Sequence, residues 1–172
     1  MDTPSFPTSR RGRLFAGLIL IGIVAAGALV ADTYFLPERS TVVDEGPMAA
    51  NGTTVHASGT FTGTTGHRVS GTVRLIEDAN GLALHFEDYR QTQGPDVFVY
   101  VTPAGEPDSR AEIAAGRKVL IDGGADGGES TKEGTFVQPL PADVRVDNVE
   151  GVAIWCDQFG VPFGYATLET SA

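Results

Sequence analysis

The segment from Val152 to Leu168 constrains the chain most, because its alternation fixes the two faces of a strand and the place of the only thiol. Side chains of a strand point to opposite faces in turn, so Val152, Ile154 and Cys156 share one face and Ala153 and Trp155 the other. A second strand is predicted from Val161. Its apolar parity changes at Gly164, with Val161 and Phe163 before the change and Ala166 and Leu168 after it. A glycine at a parity change predicts a β-bulge, which brings Phe163 and Ala166 to the same face.

The N-terminus makes a single cysteine unusual. Leu14 to Ala31 carries no charge and spans about 27 Å as a helix, enough for the hydrocarbon core. Arg10, Arg11 and Arg13 precede it, and Asp32 and Glu38 follow it. The positive-inside rule then places residues 1–13 in the cytoplasm and everything after Ala31 outside. A cleaved signal peptide is the rival, with Ala26-Gly27-Ala28 as its small-residue site. The apolar run continues past Ala28, and Tyr34 and Phe35 suit an interface, which favours a single-pass anchor in the cell membrane. Both readings export the remainder. Setting aside Arg10, Arg11, Arg13 and Asp2 leaves 9 basic against 21 acidic residues, a net charge of −12. That excludes nucleic acid and anionic lipid headgroups as partners of the exported part.

Residues 32–54 read as a linker, since Leu36 to Asn51 mixes Pro, Gly and charges without sustained periodicity. Asn51-Gly52-Thr53 matches a glycosylation sequon. From Val55 the pattern becomes β. Val69, Gly71, Val73 and Leu75 alternate with polar residues, Asn80-Gly81 signals a hairpin, and Leu82, Leu84 and Phe86 point inward. Val97 to Val101 is apolar on both faces, as in a central strand. After a long connection with one helical turn near Arg110 to Ala114, strands are predicted at 118–121, 135–138, 144–146, 151–156 and 161–169. Many short strands separated by turn residues predict an all-β fold, an antiparallel β-sandwich over 55–169, preceded by one N-terminal transmembrane helix over 14–31.

These motifs resemble the electron-transfer DM-thirteen domain family. They are Gly59-Thr60-Phe61, His67-Arg68-Val69-Ser70-Gly71, the hairpin with Gly81, Leu84 and Phe86, Gly94-Pro95-Asp96-Val97-Phe98-Val99-Tyr100, Phe136 with Leu140-Pro141, and Ile154-Trp155-Cys156 with its partner up to Leu168. The resemblance implies a small extracellular β domain taking part in electron transfer or oxidative modification. It also implies that the cysteine acts as a bare redox thiol or as the ligand of a prosthetic group such as haem.

Cys156 therefore stands between two readings. As a small buried hydrophobe it needs no chemistry. Exported chains, however, carry cysteines mostly in disulfide pairs, so a lone one flags a reactive thiol, a cofactor ligand or an intermolecular bridge. A functional thiol is expected to react without denaturant or to be masked by the group it binds. Its neighbour Asp157 would raise its pKa, and no cation is adjacent in sequence. Haem requires an axial ligand in an apolar pocket, with Cys156 and His67 as the candidate pair, and the absence of Cys-x-x-Cys-His excludes the common covalent attachment. For His67 the alternative is a ring that only satisfies hydrogen bonds. His85 is predicted to face solvent, by parity with Leu84 and Phe86. Asp122, Asp126, Gly127 and Glu133 fall at EF-hand spacing, but Gly124 replaces a required ligand and the flanks are strands, so a glycine-rich hairpin is the better account. Hydrolase and nucleotide-binding motifs are absent. Two functions compete: an anchored electron-transfer domain acting through Cys156 on a redox partner protein, and a surface binding or adhesion module in which Cys156 is only core. A redox or electron-transfer domain is expected in preference to a stand-alone enzyme.

Overall fold

Strand alternation is realised in two sheets that share one core. The computed structural model describes residues 10–35, 38–46 and 52–170. The chain divides into two units, Met1–Leu36 and Pro37–Ala172. In the first, helix α1 (Arg10–Phe35) contains the segment 14–31. Its described side chains, Leu14 and Gly17–Leu29, are apolar and exposed all round. The side chains of residues 10–13, 15–16 and 30–35 lie outside the described residues, as do residues 1–9 and Asn51 of the sequon. Among the described residues no helix is long and apolar enough to cross a membrane.

The second unit runs β1 (Thr41–Asp44), β2 (Thr54–Thr60), β3 (Thr62–Gly63), β4 (Val69–Asp78), β5 (Gly81–Gln91) and β6 (Val97–Thr102). Helix α2 (Arg110–Ala115) follows, then β7 (Arg117–Val119), β8 (Lys132–Pro139), β9 (Gly151–Cys156), β10 (Val161–Thr167) and β11 (Glu169–Thr170). One sheet has the order β1-β8-β5-β4-β2-β11 and the other β3-β10-β9-β6-β7. The two pack on each other through Val73, Leu75, Leu84, Phe86 and Phe136 of the first and Val97, Val99, Ile154, Cys156 and Phe163 of the second. Burying these apolar faces supplies the main driving force, about 25 cal/mol per Å² removed from water.

The faces of β9 fall as their alternation requires. Val152, Ile154 and Cys156 enter the shared core, while Ala153 and Trp155 join Phe98, Tyr100 and Ile113 in a second cluster on the outer face. Helix α2 supplies Ile113, and its start is fixed by a capping box between Ser109 and Glu112. The bulge in β10 is present: the register with β9 shifts between Pro162 and Gly164, so Phe163 and Ala166 both face the core.

Four details depart from the sequence reading. Thr41–Asp44, inside the expected linker, forms β1, because its β-branched Thr-Val-Val run finds an open edge on β8. That pairing is parallel, so the sandwich is antiparallel except at this edge. Residues 144–146 form no strand: Val144 N–H bonds Pro141 O at 3.0 Å and Asn148 N–H bonds Arg145 O at 3.0 Å, and these turns lead into a 3₁₀ helix at Val146–Asn148. The β4–β5 hairpin turns on Ala79-Asn80, one residue earlier than expected. Asp78 and Gly81 form the closing pair, Asp78 Oδ1 accepts from Asn80 N–H at 2.7 Å, and Gly81 takes the positive φ of 116°.

Candidate functional site

The Gly94-Pro95-Asp96 turn leads into β6, and two hydrogen bonds fasten it to the end of β9. Cys156 Sγ donates to Pro95 O at 3.2 Å, and Asp157 N–H donates to Asp96 O at 2.8 Å. Asp96 holds φ at +54°, a left-handed conformation that few residues other than glycine adopt, and its N–H donates to Glu129 Oε1 at 2.8 Å. At Gly94 a Cβ would stand 2.9 Å from Phe163 Cζ, so the turn and the bulged strand β10 approach more closely than a side chain permits. The motif thus needs glycine for proximity, proline for its carbonyl's fixed approach and a short polar residue for the left-handed bend.

Cys156 is the last residue of β9, paired with Val97 on one side and Val161 on the other, and it is fully buried. Burial pushes its thiol above the ordinary value of 9.0, the nearby N–H groups of Phe159 and Gln158 oppose this, and the carboxylates of Asp96 and Asp157 add to it. The sulfur is therefore a protonated thiol at neutral pH. Of the two states expected of a functional thiol, open to a reagent or masked by a bound group, the burial of Cys156 speaks against the first.

His67 precedes β4 and stacks on Phe163, with ring centroids 3.7 Å apart and planes 13° from parallel. Its Nδ1 is buried without a hydrogen-bond partner, so the ring is held by stacking and not by hydrogen bonding. Phe163 intervenes between His67 and the Gly94 turn whose next residue holds the thiol. The two candidate residues consequently flank one turn without a common cavity. His67 helps to line two open clefts, one with Gln91 and Glu133 and the other with Thr62 and Asp108, and Cys156 lines neither. Haem needs a ligand atom facing an apolar slot. Protein surrounds Cys156 on every side and His67 spends one ring face on Phe163, so these residues do not fit haem.

His85 is buried at 1 % exposure, contrary to its predicted solvent-facing place. Arg74 and Glu87 form an ion pair on that face, and Glu87 Oε1 lies 3.8 Å from His85 Nδ1. Burial, with Arg74 contributing, holds the ring below its ordinary pKa of 6.5 despite Glu87. His56 instead bonds Glu77 at 2.9 Å on an exposed strand pair. Of the residues at EF-hand spacing, Glu133 accepts from Gln91 N–H at 3.1 Å and belongs to a different part of the sheet.

The sequence reading missed a charged group on the other face of β9. Tyr100 Oη donates to both oxygens of Asp157, at 2.9 and 3.0 Å. Lys118 forms an ion pair with the same carboxylate and sits 3.7 Å from the Phe98 ring centre. Burial, reinforced by the Asp157 carboxylate, keeps the Tyr100 phenol protonated far above its ordinary pKa. A cation does reach the neighbourhood of Cys156 through the fold, but it is engaged by Asp157. The parity of Tyr100 with Phe98, opposite Ala153 and Trp155, was the available signal.

Fold and site together define a small two-sheet β domain that carries one thiol sealed beneath a Gly-Pro-Asp turn. The protein-family model described as Electron transfer DM13 matches residues 60–168, and the chain belongs to that family. No curated protein and no solved structure matches the chain.

Proposed function

We propose that this chain is a membrane-anchored, extracytoplasmic electron-transfer domain in which Cys156 is the redox-relevant residue, working as a protonated thiol under the Gly94–Asp96 turn. The observation that carries this reading is the 3.2 Å hydrogen bond from Cys156 Sγ to Pro95 O. The sulfur lies at a strand end, beneath one turn whose Asp96 is exposed. Oxidation of the protonated thiol gives one electron to the redox partner and one proton to water, and thiol exchange requires a thiolate in contact with the attacked sulfur, so both need access to the sulfur. Exchange with a partner's thiol therefore waits for the turn to open. The uncharged segment 14–31 after three arginines, together with the exposed apolar side chains of α1, supports the anchor. The partner is then another redox protein at the outer membrane face.

A second reading is a surface binding module with a structural cysteine, and the complete burial of Cys156 among core residues favours it. Protein-film voltammetry on the full chain in detergent separates the two. A reversible wave is expected from the wild type and none from Cys156→Ala with an unchanged far-ultraviolet spectrum. A silent wild type would leave the binding module. A wave surviving in Cys156→Ala would move electron transfer off the cysteine.

A further inference from the structure

We infer that Glu38, Asp126 and Glu129 form a binding site for a hard divalent cation of the calcium type. One carboxylate oxygen from each of the three lies within 4.8 Å of the others. Among the described residues none of them pairs with a lysine, arginine or histidine. Three carboxylates converging without a cation repel one another, and the repulsion is greatest where water is excluded.

The independent sign of a missing ligand is Glu129. It is only 4 % exposed, its Oε1 accepts from Asp96 N–H at 2.8 Å, and its Oε2 is buried with no hydrogen-bond partner. A buried carboxylate oxygen without a donor is costly unless a proton or a metal ion completes it. Burial, together with the carboxylates of Glu38, Asp96 and Asp126, pushes the Glu129 carboxyl up to about 7 despite the Asp96 N–H.

The donor set selects the ion class. All three ligands are carboxylates, which suit calcium, magnesium or manganese, whereas zinc is held mainly by cysteine and histidine. Calcium accepts six to eight oxygens in flexible geometry, so water and loop carbonyls would complete three side chains. With so few protein charges and one ligand exposed, the affinity belongs with extracellular calcium modules, about 10⁻⁴–10⁻³ M. The position gives binding a consequence. Glu38 leads into β1, Asp126 and Glu129 lie in the β7–β8 connection, and Glu129 also holds the Asp96 turn. A bound cation would join the entry of the domain to that connection and steady the turn over Cys156. The inference does not depend on the redox role of the thiol.

The full chain in detergent, stripped with EDTA, tests it through its thermal midpoint with and without calcium chloride. At about 5 mM calcium the wild type is expected to melt about 3 °C higher than in EDTA. Glu129→Gln and Asp126→Asn are expected to show no calcium shift while melting in EDTA at or above the wild type, since each removes one repelling charge. Asp126 is exposed, so its variant keeps the test valid if Glu129→Gln does not fold. A wild type indifferent to calcium would overturn the site. So would a calcium shift that both variants retain.

Discussion

The two faces of β9 carry one continuous strand into opposite environments. The inner face ends in a thiol sealed by apolar neighbours and one carbonyl, and the outer face lies beside Tyr100 of β6, whose hydroxyl bonds the Asp157 carboxylate that Lys118 of β7 also pairs with. Inside, burial chiefly suppresses ionisation, with the more distant Asp96 and Asp157 carboxylates adding to it; outside, the phenol is suppressed by burial and by a carboxylate that directly accepts its hydrogen bond. The inner face therefore owes its stability to packing and the outer face partly to electrostatics. Asp157 belongs to both, since its N–H holds the inner turn and its side chain the outer cluster. Cys156 thus sits in a dry, packed surround, one residue from the polar group of Asp157, Tyr100 and Lys118.

The largest effect is expected where the inner face cannot give. At Gly164 a Cβ would stand 2.6 Å from Thr62 O and 2.7 Å from Val69 Cγ2. Gly164→Val should cost about 3 kcal/mol, the upper part of the range for overpacking a core, measured by urea denaturation. An unchanged midpoint would show that the bulge tolerates a side chain and that the inner face is less tightly packed.

Alkaline pH separates the faces next. Cys156 and Tyr100 both have folded pKa values raised above their ordinary 9.0 and 10.0. Their stabilising contribution is complete below those values and is lost as pH rises past them, with a limiting slope of about 1.4 kcal/mol per pH unit for each group. Stability profiles from pH 8 to 11 should lose the earlier part of the decline in Cys156→Ser and a share of the later part in Tyr100→Phe, the buried Tyr89 phenol, also raised, supplying the rest. A profile unchanged by Cys156→Ser would mean that the thiol is already solvated in the folded state.

The smallest effect is expected at Lys118, a third exposed and paired with an equally exposed Asp157. Lys118→Met should cost less than about 1 kcal/mol and reduce the salt dependence of stability, because surface ion pairs are weak and screened. A loss as large as that at Gly164 would erase the distinction between the faces.

Alternation made much of this fold legible. Val97 to Val101 and Gly151 to Cys156 announce their two apolar faces residue by residue, and the parity change at Gly164 locates the bulge. What the sequence could not announce depends on partners distant in the chain. Thr41–Asp44 is too short to show a period, and its strand character arises only beside Lys132–Thr135. His85 has the parity of a wet residue and is covered by an ion pair two strands wide. The seal on Cys156 is a carbonyl 61 residues away, and the stacking of His67 comes from Phe163. Glu38, Asp126 and Glu129 have no common spacing and meet only through the loop that folds back toward β1.

The most direct measurement is the labelling rate of Cys156 by a small disulfide reagent on the native full chain, compared with the chain in denaturant. With the thiol protonated and sealed by the Gly94–Asp96 turn, native labelling is expected to be at least about 100-fold slower, limited by local opening. Asp96→Val, which disfavours the left-handed bend at that position, should speed it. Native labelling as fast as in denaturant would contradict the sealed thiol and return Cys156 to the class of openly reactive surface cysteines.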